Sequence, residues 1–338
     1  MTGRLIGRRL LSAIPNVIGI VIVTFVLTRA LPGDPAAFYA GPAATQEAVE
    51  QVRAKLGLDQ PLWVQFLGYV RDLARGDLGL SISTGQQVLD EILRRLPASL
   101  ELTLAGLLVA CAVALPLGIL AATRPDSWVD HACRLITTLG VSLPIFFTGL
   151  LLAYVFYYLL GVAPPPVGRL DSMFSPPAQW TGFYTIDSLI AGDVALFRAA
   201  VAQMVLPVLT LAIFVLAPLA RMTRAAMLGV LSSDFVRTAR ASGLSSGTVL
   251  YVYAFRNAML PVLTTLGMVF SFMLGSNVVI EKVFAWPGIG SFAVDALMQS
   301  DYAPVQGFVL VMALMFVALN LMIDVLYTVI DPRVSIES

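Results

Sequence analysis

The sequence predicts an all-α protein, a polytopic membrane bundle of six transmembrane helices, and three observations carry that expectation. Hydrophobic residues make up 58% of the 338 positions and charged residues only 12%, with a mean hydropathy of +0.85. A water-soluble globule of this length cannot bury that much apolar surface. Six predominantly apolar stretches of about 20 residues recur, at 10–31, 100–122, 135–161, 201–220, 259–280 and 308–330. None alternates every second residue, as the strands of a membrane barrel would.

The first stretch follows Arg4, Arg8 and Arg9 without an intervening acid. It outlasts the roughly 7 to 15 apolar residues of a cleaved signal, so an uncleaved anchor with a cytoplasmic N-terminus is expected. Segment 32–98 then lies outside, because long loops cross regardless of charge. It is expected to be an ordered helical cap rather than a linker. Val49, Val52 and Leu56 recur at helical spacing and stop at Gly57. Pro61 reopens a helix with Phe66, Val70 and Leu73 on one face, ended by Gly76, and Val88, Ile92 and Leu96 lead into the second span.

Prolines in or at the mouths of spans, such as Pro15, Pro116, Pro144 and Pro207, are tolerated where neighbouring helices satisfy the freed carbonyls. Small residues at Ala114, Gly118 and Ala122 in the second span, and at Gly267, Ser271 and Gly275 in the fifth, let another helix approach closely. Loop 221–255 carries Arg221, Arg224, Arg237 and Arg240 against Asp234, whereas 282–304 carries one lysine against Asp295 and Asp301. The positive-inside rule therefore places the first in the cytoplasm, the second outside, and both termini inside. The expected organisation is a cytoplasmic end and first helix at 1–31, an extracytoplasmic insertion at 32–98, and a transmembrane core at 99–338 holding a cytoplasmic loop at 221–258.

Composition also excludes functions. Lysine plus arginine and aspartate plus glutamate both number 21, so no basic excess recruits nucleic acid. Cys111 and Cys133 are read as packing residues, and one histidine, His131, cannot build a two-histidine zinc motif. No metal site and no catalytic residue is expected. Gly243-Leu244-Ser245-Ser246-Gly247 fits a nucleophile-elbow pattern but lacks the preceding strand and a histidine base. Gly288-Ile289-Gly290 lacks the βαβ unit of a dinucleotide site. The two lysines follow Ala54 and Glu281, so no Walker A loop is present, and any ATP hydrolysis falls to another polypeptide. A secondary transporter would bring inverted repeats and intramembrane charges, of which Asp324 is the clearest. An intramembrane enzyme would need a serine–histidine or two-acid pair, and neither is evident.

The cytoplasmic loop is the informative segment. Ser233 can cap a helix over 234–242, with Phe235 and Ala239 on one face, Arg237 and Arg240 on another, and Gly243 as its stop. Gripped by a soluble partner, such a helix is a lever on the spans beside it. Ala241 and Leu244 supply the apolar part of the same contact. At the outer end of the fifth span, Ser276, Asn277 and Glu281 cluster, and Asn277 and Glu281 share a helical face. They are candidates for lining a translocation path, or else Glu281 pairs with a loop arginine.

The run Phe235-Val236-Arg237-Thr238-Ala239-Arg240-Ala241-Ser242-Gly243-Leu244, continuing to Arg256-Asn257-Ala258-Met259-Leu260-Pro261, resembles the ATPase-contacting EAA loop of binding-protein-dependent ABC permeases. The likeness, closest to the dipeptide/oligopeptide branch, extends through Leu31-Pro32-Gly33-Asp34-Pro35, Leu56-Gly57-Leu58-Asp59-Gln60-Pro61, Gly76-Asp77-Leu78-Gly79, Leu96-Pro97-Ala98-Ser99-Leu100-Glu101, Val283-Phe284-Ala285-Trp286-Pro287-Gly288-Ile289-Gly290 and Asp331-Pro332-Arg333. Arg237 stands at the glutamate position of the general pattern and Arg256 at a proline position, as in the peptide branch. The resemblance implies a type I ABC importer permease, MetI-like in fold, in the bacterial inner membrane. It implies a second homologous permease, two cytoplasmic ATPases that use ATP and Mg, and an extracytoplasmic solute-binding protein delivering dipeptides or oligopeptides. Similar permeases carry nickel chelates, glutathione or opines.

Overall fold

The computed structural model describes residues 14–26, 29, 34–41 and 43–330. Arg4, Arg8 and Arg9, the Leu31-Pro32-Gly33 run and the terminal Asp331-Pro332-Arg333 lie outside them. In chain order the helices are α1 (Ile14–Val26), α2 (Pro35–Ala40), α3 (Gln46–Lys55), α4 (Leu62–Ala74), α5 (Val88–Thr123), α6 (Trp128–Ser142), α7 (Ile145–Leu152), α8 (Tyr184–Ile190), α9 (Val194–Leu231), α10 (Asp234–Ala241), α11 (Arg256–Val283), α12 (Ile289–Met298) and α13 (Tyr302–Ile330). π-Helical stretches extend α7 over Ala153–Leu159 and precede α11 over Thr248–Phe255. Among the described residues no β-strand occurs, only an isolated bridge between Leu80 and Gln87.

Among the described residues four helices are long and apolar enough to cross a membrane: Val88–Thr123, Val194–Leu231, Thr248–Val283 and Tyr302–Ile323. They correspond to the second, fourth, fifth and sixth expected spans. The third differs from the expected single helix, being a bent pair, Trp128–Gly140 and Ile145–Leu159. The break lies at Leu143, which is extended at ψ 139°, and at Pro144. Proline has no N–H to continue the ladder and drives the preceding residue out of the helical region. Of the first span, the described part is the short apolar helix α1.

The chain divides into two compact units, Met1–Pro97 with Pro287–Ala318, and Ala98–Trp286 with Leu319–Ser338. In the first, local chemistry shapes the insertion. Thr45 caps α3 by accepting from Ala48 N at 3.3 Å, Gly57 stops that helix at φ +65°, and Gly76 follows α4 at φ +77°. Phe66 of α4 meets Phe25 of α1 edge-on, with centroids 5.2 Å apart. Val88 and Ile92 are fully buried against Ile289 and Phe292. Buried Asp301 pins the Leu80–Gln87 turn, its Oδ2 accepting from Ser81 Oγ at 2.7 Å and from Ser83 N and Oγ at 3.0 Å.

The second unit is built on α5, α9 and α11, whose core holds Leu102, Leu211, Met273, Ile280, Phe284 and Trp286. The expected small faces are used unevenly. A Cβ on Gly118 would stand 2.7 Å from Thr223 Cβ and 2.8 Å from Ala220 O, and one on Gly267 would collide with Ile323. A Cβ on Gly275 would meet nothing within 4 Å. Cys133 is buried and Cys111 half-buried, both free, and His131 is exposed.

Candidate functional site

The expected lever is α10, and its position follows from how its ends are made. Ser233 takes the extended N-cap conformation, yet its hydroxyl donates back to Val230 O, so it closes α9 rather than capping α10. Val236 and Ala239, three apart, turn inward onto Val230, Leu231 and Val249, which fastens α10 to the spans on both sides. The expected pairing of Phe235 with Ala239 is therefore corrected: Ala239 is buried, whereas Phe235 is 44% exposed. Val236 was the missing inward partner. Arg237, Arg240, Ala241, Gly243 and Leu244 are exposed beside Phe235. Arg237 meets Asp234 at 3.1 Å in a solvated pair that contributes little.

Gly243 ends α10 in the left-handed region at φ +77°. Its N–H donates to Arg240 O at 3.0 Å, and Leu244 N reaches Ala239 O at 3.4 Å, the paired bonds of a Schellman stop. Thr248 N then donates to Ser245 Oγ at 3.2 Å to start the next helical segment. Phe255 and Arg256 both hold right-handed helical angles, so Thr248–Val283 runs on as one rod. Arg240 and Leu244 also line an open pocket of about 620 Å³ together with Thr123, Leu231, Val249 and Leu250.

At the other end of that rod, Asn277 and Glu281 are buried and Ser276 is half-buried. Ser99 Oγ and Asn277 Nδ2 both donate to Glu281 Oε1, and Asn277 Nδ2 also reaches Ser99 O at 3.2 Å. Trp286 Nε1 donates to Ala98 O at 2.9 Å. Asn277 and Glu281, expected at a path, thus meet Ser99 of α5.

Two polar clusters escaped the sequence reading. Glu101 and Arg169 are both buried. Arg169 Nη2 donates to Glu101 Oε2 at 2.6 Å and to Gly182 O at 2.7 Å, and its guanidinium lies 3.4 Å from the Tyr184 ring centre. Thr185 N and Oγ1 donate to Glu101 Oε1 at 2.9 and 2.6 Å. Nearby, burial pushes the Asp187 carboxyl up, but hydrogen bonds from Thr181 Oγ1 and N and from Gly182 N outweigh it and hold its pKa below the ordinary value. That contribution to stability is present above the unfolded pKa and is lost as pH falls through the depressed folded one. The second cluster is buried Asp130 of α6, which accepts from Arg224 Nη2 and Arg134 Nη2, each at 2.7 Å. The signal available for both was charge itself, scarce in so apolar a chain.

The described residues thus form a multi-pass helical bundle that holds an exposed helix, α10, between two spans. The chain belongs to the binding-protein-dependent transport system inner membrane component family, whose model matches residues 114–336. The model of that family's N-terminal part matches residues 2–103. The chain is 44% identical over 318 residues to the probable D,D-dipeptide transport system permease protein DdpB of Escherichia coli (strain K12), covering 94% of this chain and 93% of that protein. It is 41% identical to the di/tripeptide transport system permease protein DppB of Pseudomonas aeruginosa (strain UCBPP-PA14), over 97% of this chain and 98% of the relative. To the dipeptide transport system permease protein DppB of Alkalihalophilus pseudofirmus it is 39% identical, with the same coverage. Family and apolar helices together make this a multi-pass inner-membrane protein.

Proposed function

We propose that the chain is one permease subunit of an ATP-driven importer of dipeptides and short oligopeptides, moved by separate ATPase subunits through α10. A second homologous permease, two cytoplasmic ATPases with ATP and Mg, and an extracytoplasmic binding protein complete the complex. The observation that carries the reading is α10 itself: its inward side is packed on both flanking spans, while Phe235, Arg237, Arg240 and Leu244 face outward. A partner that grips the outward side moves both spans. The substrate follows from the names of relatives alike over nearly the whole chain. The purified complex in proteoliposomes is expected to take up dipeptide with ATP and without an ion gradient; uptake driven by a gradient alone would refute the assignment.

The same reading puts α10 in the cytoplasm and the turn at Ser83 outside. Single cysteines at exposed Ser83 and half-buried Ser291 are expected to react with an impermeant thiol reagent from the outer face. Labelling only from the cytoplasmic face would invert the topology.

Gly243→Val tests the lever. A Cβ there meets nothing within 4 Å, so the strain comes from the backbone alone, roughly 1–2 kcal/mol for a left-handed residue. Uptake per ATP hydrolysed is expected to fall about tenfold, with Gly243→Asn, which tolerates that conformation, close to wild type. A Val variant that keeps the wild-type ratio would show that α10 does not couple.

A further inference from the structure

We propose that Ser99, Asn277, Glu281 and Trp286 form a clasp that makes α5 and α11 move as one body, so that a stroke received at α10 reaches α5. The inference rests on the coupling role of α10 and adds the route by which the motion leaves it. From Gly243 the chain enters Thr248–Val283, an unbroken helical rod about 50 Å long at ordinary helical rise. Elsewhere the rod shares apolar clusters with α5, one of them holding Met273 and Leu102, and Gly106 of α5 faces the Met273 methyl. Apolar attraction of this kind has no direction, so it ties particular atoms of the two helices together less specifically than hydrogen bonds do.

At the end of the rod remote from α10 the contacts change in kind. Three hydrogen bonds reach consecutive residues of α5, Trp286 Nε1 to Ala98 O, Asn277 Nδ2 to Ser99 O and Ser99 Oγ to Glu281 Oε1, and a fourth joins Asn277 Nδ2 to that same oxygen. Three of them cross between the two helices or the turn after α11, and the fourth braces the carboxylate from within α11. Ser99, Asn277, Glu281 and Trp286 are each at most 5% exposed. At such burial water is poorly placed to replace a lost partner, so opening the clasp costs the hydrogen bonds donated by Ser99, Asn277 and Trp286. The turn after α11 is shaped for this purpose. Ala285 adopts a left-handed φ of +51°, and Trp286 N donates to Glu281 O at 2.7 Å, which folds the indole back onto Ala98.

The residues act as positioning residues, so the test must separate transmission from simple folding. The full complex is reconstituted in proteoliposomes with a dipeptide, and uptake and ATP hydrolysis are measured together. In a chain with Cys111 and Cys133 replaced by serine, Ser99→Cys with Asn277→Cys is bridged by mercuric ion and released with dithiothreitol. The bridged protein is expected to take up dipeptide at least as fast as the released one, because helices that travel together tolerate a link. The double variant Ser99→Ala/Asn277→Ala is expected to lose about fivefold or more in uptake per ATP hydrolysed, with Glu281→Gln, which keeps a carbonyl acceptor for Ser99, nearer wild type. Uptake abolished by the bridge and restored on release would overturn the clasp, since α5 and α11 would then have to part. A loss confined to peptides with a free amino terminus would also overturn it and assign the residues to substrate contact. Wild-type complex without ATP-driven uptake would sink the transport reading itself, whereas variants that all keep the wild-type ratio would sink the clasp alone.

Discussion

Glu101→Ala is expected to destabilise the permease by about 3–5 kcal/mol, because it strands the buried Arg169 guanidinium. The carboxylate is the hub of that site: Arg169 occupies one oxygen, and both donors of Thr185 occupy the other. Removing it takes the acceptor from three donors, Arg169 Nη2 and Thr185 N and Oγ1. Arg169→Lys is expected to fail as a replacement, since one ammonium cannot serve Glu101 and Gly182 O while also stacking on Tyr184. The double change Glu101→Met/Arg169→Met is expected to be milder than either single truncation, because it removes both charges together. Thermal unfolding of the detergent-solubilised protein measures all three. A single Glu101→Ala midpoint equal to wild type would mean that the ion pair adds nothing here.

Gly118→Val is expected to separate α5 from α9 and to cost about 1–3 kcal/mol or more. The nearest atoms to a new Cβ include Ala220 O at 2.8 Å, which belongs to the backbone of α9 and cannot rotate away. Thr223 beside it is held as well, its hydroxyl donating to Leu219 O at 2.8 Å. Gly275→Ala is the control, since open space surrounds that position and alanine favours a helix over glycine. Size-exclusion profiles and unfolding midpoints of the two variants are expected to diverge, with Gly118→Val low in folded yield and Gly275→Ala at or above wild type. Equal behaviour would remove the close approach of the helices as the reason for Gly118.

Much of this could be read from the chain because the forces concerned are local. Apolar runs announce the spans, since lipid requires about 20 such residues whatever their neighbours. Gly57, Gly76 and Gly243 marked helix stops correctly, since a left-handed residue needs only its own backbone to favour glycine. The same locality limited the reading at Pro144: the sequence tolerates proline within a span, and whether the helix breaks there depends on what packs around it.

Sequence by itself determined a helical membrane bundle, the places of most spans, the stops of α3, α4 and α10, and a short basic helix between two spans. Only the tertiary structure decided which side chains meet. It turned Val236 rather than Phe235 inward with Ala239, joined Ser99 to Glu281 across 182 residues, and set Arg169 on Glu101 across 68. Such partners are chosen by the rotation and register of one helix against another. Those are properties of packed surfaces, and no local window of a single sequence contains them.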